Sequence, residues 1–101
     1  MPFAIITTDK PGGESIRAEY QSAHKRYLDS RCHLLLAAGA MMDDEGTAPQ
    51  GGVLIIDTDE REVAEEFVRN DPFHDAGLFG SVLVTRWRKA FYDFERLVPL
   101  D

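Results

Sequence analysis

The sequence predicts an α+β domain in which an antiparallel sheet carries two helices on one face. Three observations lead there. The chain has 101 residues, a length that fits one domain. Hydrophobic residues make up 44% and charged residues 29%, a globular balance. Short β-branched runs and stretches of helical period follow one another in the order strand, helix, strand, strand, helix, strand.

The elements follow in turn. Phe3-Ala4-Ile5-Ile6-Thr7-Thr8 is short and β-branched, and Pro11-Gly12-Gly13 closes it as a turn. From Ile16 the period changes. Ile16, Tyr20, Ala23 and Tyr27, with His24 and Leu28 beside them, form one helical stripe, and Arg17, Glu19, Lys25, Arg26 and Asp29 fall mostly outside it. Leu34-Leu35-Leu36-Ala37-Ala38 is expected to be a buried strand running toward Met41. The polar stretch from Asp43 to Gly52, rich in Gly and Pro, is expected to be a loop. Val53-Leu54-Ile55-Ile56 is the clearest strand. Asp59 and Glu62 have the spacing of a capping box, and Val63, Ala64, Phe67 and Val68 give the helix behind it an apolar face. Asp71-Pro72 stops that helix, because the residue before proline is pushed out of the helical region. Val82–Trp87 is the last strand, and residues 88–101 form an aromatic, amphipathic tail. The order is that of the ferredoxin-like split β-α-β fold, β-α-β-β-α-β. That topology leaves one sheet face uncovered, and a second copy of the chain is the simplest cover, as in a dimeric α+β barrel.

Charge and cysteine content exclude several classes. Eleven Lys and Arg stand against eighteen Asp and Glu, a net charge of −7. Such a surface repels phosphate backbones, so neither nucleic acid nor an anionic membrane is an expected partner. A single cysteine, Cys32, forms no intrachain disulfide, fits a reducing compartment and is expected to be a small buried hydrophobe. No apolar run approaches the roughly 20 residues of a membrane helix and no basic leader precedes Phe3, so the chain is expected to be cytoplasmic.

Two residues stand out as chemistry. His24 lies on the inner stripe of the first helix, where a solvated charge would be costly. Alone, a histidine there is more often a hydrogen-bonded core residue than a base. Asp71 sits in Asn70-Asp71-Pro72-Phe73, which alone is ordinary turn chemistry. The fold joins them, because both helices pack on one sheet face. A carboxylate at one ring nitrogen would fix the tautomer of His24 and aim the other nitrogen into a cleft, a general-base arrangement. Phe73 would wall that cleft, with Tyr20 and His74 as further substrate-binding candidates. Cys32, His33, His74 and Asp75 show no metal-ligand spacing, so no metal and no cofactor are expected. Pro2 would be a terminal secondary amine if Met1 were removed, a minor alternative.

With these features the chain resembles the YCII-related (YciI-like) proteins from Phe3 to about Trp87. The resemblance rests on His24 with Tyr27-Leu28, on Gly39, on Gly51-Gly52, and on Asn70-Asp71-Pro72-Phe73 followed by Ala76-Gly77-Leu78-Phe79. It implies a ferredoxin-like fold dimerising through its sheets, and an active site pairing a helix histidine with this aspartate, roles that fall on His24 and Asp71. One enzyme with such a domain eliminates chloride from a chlorinated hydroxyquinol, which makes base-assisted elimination an implied chemistry. The residues therefore support a cofactor-free enzyme acting by His–Asp acid–base chemistry, of lyase (elimination) or hydrolase type, on a small polar or aromatic metabolite. A non-catalytic dimer that binds a small molecule in the same cleft is the alternative, and a purely structural dimerisation module is the third reading.

Overall fold

The computed structural model describes all 101 residues. Strand β1 (Phe3–Asp9) leads to helix α1 (Glu14–Ser30), and a single 3-10 turn at Cys32–Leu34 leads to β2 (Leu35–Met42). Strand β3 (Pro49–Ile56), helix α2 (Arg61–Arg69), the one-turn helix α3 (Pro72–Asp75) and strand β4 (Phe79–Arg86) complete the fold. The tail adds a small hairpin, β5 (Phe91–Tyr92) and β6 (Glu95–Arg96). The four main strands are antiparallel in the order β2-β3-β1-β4, the split β-α-β arrangement read from the sequence.

Alternation along the strands decides which side chains meet the helices. Phe3, Ile5 and Thr7 of β1 are buried, as are Leu54 and Ile56 of β3, and Val84 packs beside them. Ala64, Phe67 and Val68 of α2 close over this face, so the apolar stripe of that helix is placed as its spacing predicted. The opposite face carries Ile6, Val53 and Leu83, paired across the sheet, and no helix lies on it. Leu83 there is 55% exposed.

Helix α1 behaves differently. None of its 17 residues is buried, and it rests chiefly on α3 rather than on the sheet. Ile16, Arg17, His24, Tyr27 and Leu28 are half-buried, while Tyr20 and Ala23 of the expected stripe are exposed. The helix is thus rotated so that Arg17, expected outside the apolar stripe, faces inward. The reason is a partner that spacing does not show: Asp9, at the end of β1, binds it.

Other local expectations are corrected as well. Strand β3 begins at Pro49, inside the stretch expected to be a loop, because Pro49 pairs with Met42 as the first residue of the strand. Glycine is required at Gly51, where a Cβ would lie 2.1 Å from the Thr7 carbonyl oxygen. The capping box does not form. Helix α2 starts after Glu60 with no side-chain cap, and Asp59 instead pairs with the terminal amine of Met1. The segment expected to be a buried strand is half-buried at Leu34–Leu36 and exposed from Ala37 to Ala40, since β2 is an edge strand. Cys32 is exposed, because it falls in the turn before that edge strand and not in the core. Pro2 is buried, with Met1 bonded to its nitrogen.

Candidate active site

The site forms because α1 stands away from β2. Between them lies a cavity of about 200 Å³. Arg17, Gln21, His24, Lys25 and Leu28 of α1 form one wall. Ala38, Gly39 and Ala40 of β2 and Gly51 and Gly52 of β3 line it without any side chain beyond a methyl group. Asp71, Phe73 and Phe79 close the end toward α3.

His24 and Asp71 meet there. The Nδ1 nitrogen of His24 lies 2.9 Å from both carboxylate oxygens of Asp71. An ionised carboxylate only accepts, so Nδ1 carries the hydrogen and donates it. Asp71 is 2% exposed, and it reaches this position as the cap of α3. Its Oδ1 also accepts from the Phe73 backbone N–H at 2.9 Å. The Asp-Pro-Phe run therefore has two functions at once: proline starts the short helix, and the capping carboxylate is turned toward α1.

Phe73, itself 1% exposed, fixes the imidazole plane. The two rings stack with centroids 4.2 Å apart and planes 17° apart. Nε2 of His24 makes no hydrogen bond within the chain, and no buried side-chain nitrogen or oxygen lacks a partner. Nε2 is therefore accessible, on a residue that lines the cavity. A histidine with one nitrogen held by a carboxylate and the other free has the composition of a general base with its orienting group.

The remaining residues sort by distance from this pair. Phe73 lines the cavity, whereas Tyr20, 37% exposed, and His74 do not. His74 lies at the rim of α3, with its ring 6.4 Å from that of Phe79. Tyr27 supports the pair from behind, its hydroxyl donating to the Phe67 carbonyl at 2.7 Å. Burial pushes its phenol above the usual 10.0, Arg31 opposes the shift, and the charge of Asp71 adds to it. No group of three His, Cys, Asp or Glu side chains converges as metal ligands would.

Arg17 is the residue that sequence reasoning missed. It lines the cavity, and its Nε and Nη2 bind the two oxygens of Asp9 at 2.7 and 3.0 Å. A signal was present: Arg17 precedes His24 by two helical turns, which places both on one face.

Comparison with known proteins agrees with this architecture. The chain is similar to 5-chloro-2-hydroxyhydroquinone dehydrochlorinase from Burkholderia phenoliruptrix, solved in complex with 2,5-dihydroxybenzoquinone. The two share 30% identity with a TM-score of 0.80, over 87% of this chain and 94% of that one. No curated protein matches the chain. The family model of the YCII-related domain matches residues 1–88, and the chain belongs to the YCII-related domain family.

Proposed function

We propose that the protein is a homodimeric, cofactor-free enzyme that performs base-assisted elimination on a small ring compound. The single observation that carries this reading is the His24–Asp71 pair, with Nδ1 bound to a buried carboxylate and Nε2 free at a cavity. In the proposed step Nε2 takes a proton from the substrate. The released electron pair forms the new double bond, and the leaving group departs with its own pair. No electron is gained or lost overall, and the proton leaves His24 to water afterwards. Asp71 stabilises the imidazolium that forms and holds its orientation. Phe73 stacks on the imidazole and holds its plane. Tyr20 and His74 stay outside the cavity in this reading, and would touch only a ligand that extends past its rim.

Similarity to a dehydrochlorinase supports the reaction class, because chloride loss from a hydroxylated ring is such an elimination. The dimer is supported by the uncovered sheet face and by surface area. The chain exposes 6619 Å², roughly 800 Å² more than a compact monomer of 11.4 kDa is expected to show. About 800 Å² per partner is what a standard interface buries.

The test is chloride release from chlorinated hydroxyhydroquinones, measured for the wild type, His24→Asn and Asp71→Asn. The wild type is expected to release chloride, and each variant to fall by about a hundredfold or more. Binding of 2,5-dihydroxybenzoquinone without any turnover would favour a non-catalytic binding dimer instead.

A further inference from the structure

Resting on the reading of the cleft as a substrate site, we infer that the sheet side of the cavity holds a subsite for a ring hydroxyl, formed by the Thr7 side chain beside Gly52. The ligand class is then a ring that carries an un-ionised hydroxyl besides the position facing His24.

Thr7 occupies a place in the core. Along β1 the residues Phe3, Ile5 and Thr7 alternate onto the buried face, and Thr7 is 2% exposed. Thr47, Thr58 and Thr85 use their hydroxyls in hydrogen bonds within the chain, and Thr7 does not. No fully buried side-chain oxygen lacks a partner, so the unpartnered Thr7 hydroxyl is reached from the cavity that the residue lines. Burying a hydroxyl without a partner is costly, and valine has nearly the same shape without that cost. The core therefore gives no reason for threonine at this place. The cavity does.

Gly52 leaves the hydroxyl bare. It pairs with Thr7 across the sheet. A Cβ at Gly52 would stand 3.3 Å from Thr7 Oγ1, 3.6 Å from the Gly39 carbonyl oxygen and 3.9 Å from Leu54 Cδ1. The hollow beside Gly52 is thus bordered by one hydroxyl, one carbonyl oxygen and one methyl group, all from residues that line the cavity.

These borders define the ligand. The Gly39 carbonyl only accepts, whereas the Thr7 hydroxyl donates or accepts. A ligand hydroxyl can donate to the first and accept from the second. An ionised oxygen only accepts, so it would face the carbonyl lone pairs, and a bare ring carbon would leave Thr7 unpaired. A cavity of about 200 Å³ is below the usual range for drug-sized ligands and suits a single ring. Held at Thr7 by one hydroxyl, such a ring would present a fixed edge to Nε2 of His24.

The experiment titrates the full chain at neutral pH with hydroquinone and with phenol, both un-ionised there, followed by NMR, with thermal melts alongside. The wild type is expected to bind hydroquinone about fivefold more tightly than phenol, as one further hydrogen bond allows. Thr7→Val should bind the two alike and melt no lower than the wild type, while Thr7→Ser keeps the preference. Gly52→Ala, which sets a methyl group against Oγ1, should lose it with the hydroxyl still present. A preference that survives in Thr7→Val would overturn the subsite, as would a wild type that binds both compounds equally or binds neither. So would a Thr7→Val protein melting clearly below the wild type, because the hydroxyl would then serve the fold. Chloride release separates this inference from the reading it rests on. Release that needs His24 while Thr7→Val keeps the preference would remove the subsite alone. Unchanged release in His24→Asn, with the preference still dependent on Thr7, would remove the base and leave the subsite standing.

Discussion

At the scale of single residues, the site depends on a few positions with no spare room. Gly51 is the clearest. A Cβ there would overlap the Thr7 carbonyl oxygen at 2.1 Å, so Gly51→Ala forces β1 and β3 apart beside the cavity. We expect a loss of about 3 kcal/mol in guanidinium unfolding, and Gly39→Ala, which meets nothing within 4 Å, should cost far less. Much of the site is legible at this scale. His24, Asp71 and Phe73 could be read from an apolar stripe and a helix stop, and the topology brings them together. Arg17 was missed because hydropathy sends an arginine to solvent, although its seven-residue spacing from His24 puts both on one helix face. Its inward position depends on Asp9, a residue of another element that helical periodicity does not report. Cys32 failed in the opposite direction: cysteine is a common core residue, yet here it occupies an exposed turn.

At the scale of elements, the decisive feature is that α1 stands off the sheet. It is braced by α3 and by Tyr27, whose hydroxyl binds the Phe67 carbonyl and whose ring meets that of Phe67 edge-on at 5.3 Å. Tyr27→Phe should cost about 1 kcal/mol, since one hydrogen bond is lost and the ring remains. Its pH dependence has a definite sign. Burial raises the folded phenol above 10.0, so the contribution is whole below about pH 10 and is lost as the pH rises through the raised value. The wild type should therefore lose stability above about pH 10 more steeply than Tyr27→Phe, as thermal melts across that range would show. The order of the six main elements was legible because hydrophobic period changes cleanly along the chain, whereas the one-turn helix α3 and the tail hairpin were not read. Their ends were less so. Pro49 reads as a breaker, yet it is tolerated as the first residue of β3, and Asp59 has the capping spacing but is drawn to the chain's own amine.

At the scale of the molecule, the shape is extended for its size. The radius of gyration is 14.4 Å, against about 12.7 Å for a compact chain of this length. The uncovered face with Ile6, Val53 and Leu83 accounts for part of that surface, and Phe91, Phe94 and Leu97 of the tail hairpin add exposed apolar groups. A second copy on the sheet face predicts about twice the 11.4 kDa chain mass by light scattering at micromolar concentration. Leu83→Glu, on the face opposite the core, should shift the protein to monomer while its helical and strand content stay unchanged. A wild-type monomer across the same range would rule out pairing through the sheet.

The central claim is that Asp71 sets the tautomer of His24 and so leaves Nε2 as the base. Nitrogen-15 NMR of the three imidazoles, at a pH where they are neutral, tests it directly. In the wild type His24 should carry its hydrogen on Nδ1. In Asp71→Asn the amide oxygen remains bound to the Phe73 N–H, and the amide NH₂ is left to face Nδ1. The His24 hydrogen should then move to Nε2, while the signals of His33 and His74 stay where they were. The same tautomer for His24 in both proteins would contradict the account.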